Sequence, residues 1–463
     1  MGCNTLQPAA TLPAPIRAAL EQSGLQEQHL GLVAFSLDGA VPGVWLNADQ
    51  SMQPGSTIKL ATVIVALDQF GSNARARTDL LATSAVSGEV LPGPLYLRGG
   101  ADTDLDWGAL WSLLRQLREQ GVRHIQGGLV VDRTLFSPPR LDLGVAPFDE
   151  APEFQYNVIP DALYLNGGVL GMVLQSDGRE VRAYSSPTLP GLRIDTDGVA
   201  LVDAVCANWE DHWKPPQVQV HPDGAVIVLQ GHFPRDCHQR LNLNLLDRQW
   251  IAAAAVRQIW QQLGGQMGVG DAEGATPAGA VVLATHRGRP FAEVARDMMK
   301  RSDNPMTRLT YLRLGANVAK QGEPTLDAAA GAVRHWFEAK GIPTAGLVMD
   351  NGSGLSRSER ITPAQMAAVL REAHKGAFLP ELLSSLPVAG VDGTLSRRFK
   401  GTLAEGRARL KTGSLRNVSG LAGFVPDAQN RLWVVVAFVN HDSAPAKARL
   451  VLDSIVEWVA ARP

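Results

Sequence analysis

Apolar positions change their spacing several times along the chain, and each change marks an element. From Ala14 to Leu25 they recur at helical intervals (Ile16, Leu20, Leu25), with Gly24 as a stop. Leu30 to Leu37 reads as a strand, Asp38-Gly39 as a turn, and Val44 to Asn47 as the hairpin partner. Pro54-Gly55 punctuates the chain, and Ser56 then opens an apolar stretch, Ile58 to Phe70, closed by Gly71. That stretch predicts a buried helix with Ser56 in its first turn.

The far end mirrors this pattern. Arg409 to Ser414, Leu421 to Val425 and Arg431 to Asn440 alternate with turn signals and predict an antiparallel meander. Ala444 to Ala461 returns to helical spacing through Leu450, Leu452, Ile455, Val456 and Val459. Helix and hairpin at one end, meander and helix at the other, predict one sheet with both terminal helices on the same face. Between them, from about Asp79 to Leu245, Gly and Pro punctuate short β-type runs such as Gly128–Val131, Gly198–Val202 and Gly224–Leu229. This predicts a mainly β insertion of two small lobes. Helical spacing over Arg248–Leu263 and Pro290–Lys300 is expected to lead back into the first domain.

Composition narrows the class. Of 463 residues, 45% are apolar and 19% charged, so the chain is globular and long enough for two or three cores. A net charge of −2 gives no basic field to attract nucleic acid. The longest apolar runs, Leu60–Leu67 and Trp433–Val439, fall short of the ~20 residues that span a bilayer. Cys206 and Cys237 share one loop-rich stretch with His212, His232 and His238. A bridge, two free thiols or a zinc site would all use such residues. The spacing fits no compact zinc signature, so a Cys206–Cys237 disulfide and no metal are expected. At the start, Gly2-Cys3 has the form of a bacterial lipoprotein after its signal is cut, which makes a lipid anchor at Cys3 an open expectation.

Three short constellations carry chemistry. Ser56 and Lys59, three apart on a helix, share a face. A serine hydroxyl needs a base to become a nucleophile, and a lysine serves if burial and the helix N-terminus lower its pKa. Taken alone, Ser56 could simply cap the helix, yet Lys59 stands in an otherwise apolar run. Ser302-Asp303-Asn304 follows an amphipathic segment and offers a hydroxyl and an amide, although such a tripeptide also makes an ordinary turn. Lys411-Thr412-Gly413-Ser414 sets a cation and hydroxyls on a strand, where Gly413 lets another chain come close.

In that order, Ser-x-x-Lys, Ser-Asp-Asn and Lys-Thr-Gly resemble the signature of serine D,D-peptidases and serine β-lactamases. The long stretch separating Ser56 from Ser302 selects the branch. It resembles the D-alanyl-D-alanine carboxypeptidase/endopeptidase family, the class C low-molecular-mass penicillin-binding proteins, in which a double insertion follows the serine helix. Leu97-Arg98-Gly99-Gly100-Ala101-Asp102, Tyr156-Asn157-Val158 and Asn351-Gly352-Ser353-Gly354-Leu355-Ser356-Arg357 look like the same family. Asn351 departs from the Asp of many relatives, and Ser414 from the Thr of other penicillin-recognising enzymes.

The resemblance implies an α+β fold: a β-lactamase/D,D-transpeptidase-like domain with an antiparallel sheet flanked by helices. Residues 1–75 and 245–463 would form it, 76–165 with 225–244 a second domain, and 166–224 a third. It also implies a function, serine-type D-alanyl-D-alanine carboxypeptidase or D,D-endopeptidase. Ser56 would be acylated with Lys59 as base, Ser302 and Lys411 would relay the proton, and Asn304 would bind the substrate amide. Thr412 and Ser414 would hold the terminal carboxylate, Gly413 would lie between them, and N–H groups of Ser56 and Ser414 would form the oxyanion hole. Arg357, with Leu355 beside it, and an acidic residue of the insertion would position the free end of the substrate. Asp149 is the expected acid, with Glu150 and Glu153 as rivals. The implied partners are peptidoglycan peptides and β-lactams as covalent inhibitors, with no cofactor, in the periplasm or elsewhere outside the cytoplasm. A homodimer is left open.

Other readings predict different behaviour. A β-lactamase or esterase on the same scaffold would turn penicillin over rapidly, and a non-catalytic wall-binding relative would not be acylated. An α/β-hydrolase is disfavoured because Gly352-Ser353-Gly354 lacks the Gly-x-Ser-x-Gly spacing, and no phosphate-loop pattern occurs.

Overall fold

The nine residues Leu432–Asn440 show how one strand can organise two cores. Val434, Val436 and Phe438 point into one apolar cluster, while Trp433, Val435, Ala437 and Val439 point into another. Successive side chains leave a strand on opposite faces, so a run that is apolar throughout must be covered on both. The computed structural model, which describes residues 12–221 and 224–463, covers it on both. Cys3 lies outside the described residues.

Two units form, one from residues up to Ala74 with Pro290–Pro463, the other from Arg75–Arg289. The first is built on five antiparallel strands: β1 (Leu30–Ser36), β2 (Val44–Leu46), β3 (Arg409–Leu415), β4 (Val418–Pro426) and β5 (Leu432–Asn440). Their order is β3-β4-β5-β1-β2, with Leu30 opposite Val439 and Lys411 opposite Ala422. The helices α1 (Ala14–Ser23) and α8 (Ala444–Ala460) cover one face through Ile16, Leu20, Val451, Leu452, Ile455 and Val456. The terminal helices thus share a face, as the sequence predicts. The other face carries α2 (Lys59–Phe70), α3 (Phe291–Arg301), α4 (Asn304–Ala316), α5 (Thr325–Ala339), α6 (Pro363–Lys375) and the short α7 (Leu379–Ser385). Every residue of α2 from Lys59 to Leu67 is buried, as befits a helix apolar all round.

The second unit departs from expectation at its edges. A mixed five-stranded sheet holds Ala272–Glu273, Leu129–Asp132, Leu95–Gly100, Arg77–Ala82 and Val281–Arg287 in that order. The helices Trp107–Glu119 and Arg248–Gln262 pack on its apolar core through Leu110, Leu113, Leu117, Val256, Ile259 and Trp260. The expected return to the first domain at residue 245 therefore falls at Pro290, because Arg248–Gln262 buries its apolar face within this second core. The expected lobe boundary at 225 also runs through a sheet: Gly224–Pro234 pairs with both Leu192–Val202 and Trp213–His221. Likewise His238–Leu243 pairs with Leu170–Ser176. Cys206 and Cys237 are joined by a disulfide, which takes both thiols from any metal. No helix among the described residues is long and apolar enough to cross a membrane.

Candidate active site

The site begins where α2 begins. Pro54 cannot continue a helix backwards, and a single tight turn, Gly55–Ile58, runs directly into α2. Ser56 sits in that turn, half-buried, and Lys59 one turn later is fully buried. Lys59 Nζ lies 2.9 Å from Ser56 Oγ and donates to Asn304 Oδ1 at 2.7 Å and to the Ser353 carbonyl. Burial pushes the Lys59 ammonium down to about 7, against the carboxylates of Glu359 and Asp303, which favour the charged form, while Arg308 adds to the depression.

The second constellation joins α3 to α4 with no loop to spare. Ser302 ends α3 in the left-handed conformation (φ 57°), rarely adopted by a residue with a side chain. Asp303 caps α4 by accepting from the Met306 N–H at 2.8 Å, and Asn304 opens the helix. Holding Ser302 in this region costs on the order of 1–3 kcal/mol, a strain typical of functional turns.

The third constellation lies on β3 at the sheet's edge. Alternation puts Leu410 in the cluster beneath α8 and turns the buried Lys411 the other way. Lys411 Nζ donates to Ser302 Oγ at 2.8 Å and to the Thr412 carbonyl at 2.7 Å. Burial, and then the charge of Lys59, hold its pKa well below the usual lysine range. A Cβ on Gly413 would stand 2.6 Å from the Pro54 carbonyl and 3.1 Å from the Ser56 nitrogen. Only glycine lets β3 come this close to the serine turn.

Ser56, Lys59, Ser302, Asn304, Lys411, Thr412, Gly413 and Ser414 are therefore drawn to the junction of α2, α3, α4 and β3. The buried Leu355 accepts from Arg308 Nη2 and Asn351 Nδ2 through its carbonyl, whereas Arg357 is exposed. Asp149 belongs to the other unit. Its carboxylate accepts from Tyr156 Oη at 2.8 Å, Asn157 Nδ2 at 2.7 Å and the Ala151 N–H at 3.1 Å. Of its rivals, Glu150 is exposed and Glu153 is buried, accepting from Trp213 Nε1.

Two residues escaped the sequence reading. Thr394 accepts from the Thr412 hydroxyl at 2.8 Å; its only local signal is the turn-forming Asp392-Gly393 before it. Glu359 is wholly buried and accepts from the backbone N–H groups of Asn351, Gly352 and Gly354 at 3.0, 2.6 and 2.8 Å. It thereby braces the loop whose Ser353 carbonyl takes the Lys59 ammonium. No local pattern marks it, because its partners are backbone groups.

Comparison with known proteins adds an independent line. The model of the D-Ala-D-Ala carboxypeptidase 3 (S13) family matches residues 12–462. A D-alanyl-D-alanine carboxypeptidase of Actinomadura sp. (strain R39) is 29% identical over 452 residues, covering 92% of this chain and 82% of that one. The fold is similar to that of the crystal structure of penicillin binding protein 4 (dacB) from Haemophilus influenzae, with a TM-score of 0.79 and 24% identity over 96% of this chain and 99% of that one. The same protein complexed with a β-lactam superposes with a TM-score of 0.77 and 23% identity, over 97% of this chain and 100% of the other. Because the family model matches residues 12–462, a range that includes the insertion, the chain belongs to the D-Ala-D-Ala carboxypeptidase 3 (S13) family and is a serine-type D-alanyl-D-alanine carboxypeptidase acting on cell-wall peptides outside the cytoplasm.

Proposed function

We propose that Ser56 is the acylated nucleophile. The observation that carries this reading is the 2.9 Å separation of its Oγ from Lys59 Nζ, an amine whose pKa burial lowers to about 7. Near neutral pH a substantial share of Lys59 is unprotonated and can accept the hydroxyl proton, as a general base should. Ser56 Oγ then bonds to the D-alanyl carbonyl carbon, and the oxyanion is held by the N–H groups of Ser56 and Ser414. As the amide C–N bond breaks, Ser302 and Lys411, 2.8 Å apart, pass a proton to the leaving nitrogen. Lys59, its first proton having gone by that relay to the leaving nitrogen, then takes a proton from the water that attacks the ester carbonyl and delivers it to Ser56 Oγ as the acyl C–O bond breaks. Asn304 binds the substrate amide, and Thr412 and Ser414, with Gly413 between them, hold the terminal carboxylate. Arg357, beside Leu355, and Asp149 are the proposed contacts for the free end of the acyl side.

A β-lactam carries an amide carbonyl and a carboxylate in a similar disposition, so it should acylate Ser56 and remain there. The expected result for Ser56→Ala is complete loss of D-alanine release and of labelling by a fluorescent penicillin. Full labelling of that variant would sink the assignment. A lipid anchor at Cys3 and a homodimer are further proposals. The intact mass of membrane-extracted protein tests the first, and sedimentation of the purified enzyme the second.

A further inference from the structure

Lys300, two residues before Ser302 in the last turn of α3, ties that helix to a segment distant in the chain. Its Nζ donates to both carboxylate oxygens of Asp392 at 2.7 Å and to the Leu386 carbonyl at 2.6 Å. Asp392 Oδ1 also accepts from the Val388 N–H at 2.8 Å. Partial burial opposes the charged form of Asp392, but Lys300 and that N–H outweigh it and hold the carboxyl below its ordinary range. A Cβ on Gly393, the next residue, would stand 2.9 Å from the Lys300 carbonyl, so the segment packs directly on the end of α3. Leu395, buried in the cluster beneath α8, closes the same tight turn, Gly393–Leu395. Thr394 is thus held between two fixed neighbours, although it is itself exposed.

A hydroxyl has one proton to give and two lone pairs to accept with. Thr412 gives its proton to Thr394 at 2.8 Å, and Thr394 Oγ1 makes no other hydrogen bond among the described residues. In that state Thr412 has only lone pairs to offer, and a carboxylate, which can only accept, has no use for them. The Thr412 hydroxyl must turn before it can hold a terminal carboxylate. Turning would forfeit its bond to Thr394, unless that bond reverses. Thr394 has the spare proton to reverse it: Thr394 donates to Thr412 while Thr412 donates to the carboxylate, and no proton changes owner. A hydroxyl that accepts one hydrogen bond donates a stronger one, because the chain of dipoles is cooperative. We infer that Thr394 is a positioning residue for the terminal carboxylate, acting through Thr412. It fixes where that hydroxyl sits and supplies the proton that lets it face the substrate, while the Lys300–Asp392 pair holds Thr394 in place. A neutral C-terminal amide would draw less from this arrangement than an acid, since hydrogen bonds to a charged group are the stronger ones. The inference rests on the reading that Thr412 and Ser414 hold the terminal carboxylate.

The test gives the full chain two substrates, a peptide ending in D-alanyl-D-alanine and the same peptide with its C-terminus as the amide. The unmodified enzyme should prefer the acid, and Thr412→Val should weaken that preference. Thr394→Val keeps the shape and removes the hydroxyl. It should lower the acid-to-amide ratio of kcat/KM about fivefold, the size of one hydrogen bond, and mainly through KM. Thr394→Ser, which returns a hydroxyl, should restore the ratio. Position 394 is exposed, so neither substitution disturbs a core. A merely structural lesion slows both substrates alike, so a lower rate with an unchanged ratio would overturn the inference. So would a Thr394→Ser variant no better than Thr394→Val. If the unmodified enzyme does not distinguish acid from amide, or Thr412→Val leaves the ratio untouched, the carboxylate reading of Thr412 itself falls, and the role of Thr394 with it.

Discussion

Lys59 and Glu359 are both wholly buried, and each sets the terms on which the other exists. Burial lowers the pKa of the first and raises that of the second, while three backbone N–H groups pull Glu359 back toward its ionised form. The groups facing Lys59 are Glu359 and Asp303, which favour its charge, and Arg308 and Lys411, which oppose it. Those facing Glu359 include Asp350, Arg308 and Tyr311. A lysine acting as base is competent when neutral, so acylation by penicillin should rise with pH through about 7 and then level off. Glu359→Gln removes the charge that most favours protonated Lys59. The proton then leaves more readily, and the rising limb should move to lower pH by about half a unit to one unit. Stopped-flow acylation across the pH range measures this; a limb that stays put or moves upward contradicts it. Glu359→Ala should in addition cost about 1–3 kcal/mol, because it strands buried donors. Ser56, Lys59, Ser302 and Lys411 were legible in the sequence because each stands in a short contiguous motif. Glu359 and Thr394 were not: the partners of Glu359 are backbone N–H groups five to eight residues away, which no side-chain pattern marks, and Thr394 meets Thr412 only because the fold brings their segments together.

Elements were legible wherever the apolar period changed or a turn residue intervened. The strands around β1, β4 and β5 and the helices α1, α2 and α8 fall close to where hydrophobic spacing and Gly or Asp-Gly signals predict them. Destination was less legible than type. Helical spacing in Arg248–Gln262 says that one face is buried but not in which core, and that is why the return to the first unit was expected too early. The loop from Asn351 to Gly354 is an element of a different kind, irregular yet fixed. Gly354 has φ +87°, and a Cβ there would collide with the Gly55 carbonyl and the Ser56 nitrogen. Gly354→Ala should therefore displace the serine turn, lowering the penicillin acylation rate at least tenfold and stability by about 1–3 kcal/mol. Acylation kinetics and urea unfolding on the same preparation check both numbers, and an unchanged acylation rate would mean that the turn is not held from behind.

At the scale of the whole molecule, the two ends of the chain make one unit and the middle makes the other. The Cys206–Cys237 bridge belongs to the second. A disulfide stabilises chiefly by restricting the unfolded chain, so Cys206→Ser with Cys237→Ser should destabilise that unit by about 2–4 kcal/mol. Thermal unfolding with and without reductant measures it; no difference would mean that the bridge adds nothing to the sheets around it. Such a bridge also suits an enzyme working outside the reducing cytoplasm. The sheet of the first unit has a further consequence, which concerns time. Strand β1 pairs with β5, with Leu30 opposite Val439, so its partner is made roughly 400 residues later, on the order of 20–80 s at ribosomal speed. Ser56 and Lys59 emerge together, while Lys411 follows about 350 residues behind them. A polypeptide interrupted before β3 carries a serine and a lysine but neither the strand beside them nor the sheet that buries them. A copy interrupted there should therefore be chemically inert, and the power to cut the wall should come only once β3 has been made and has paired.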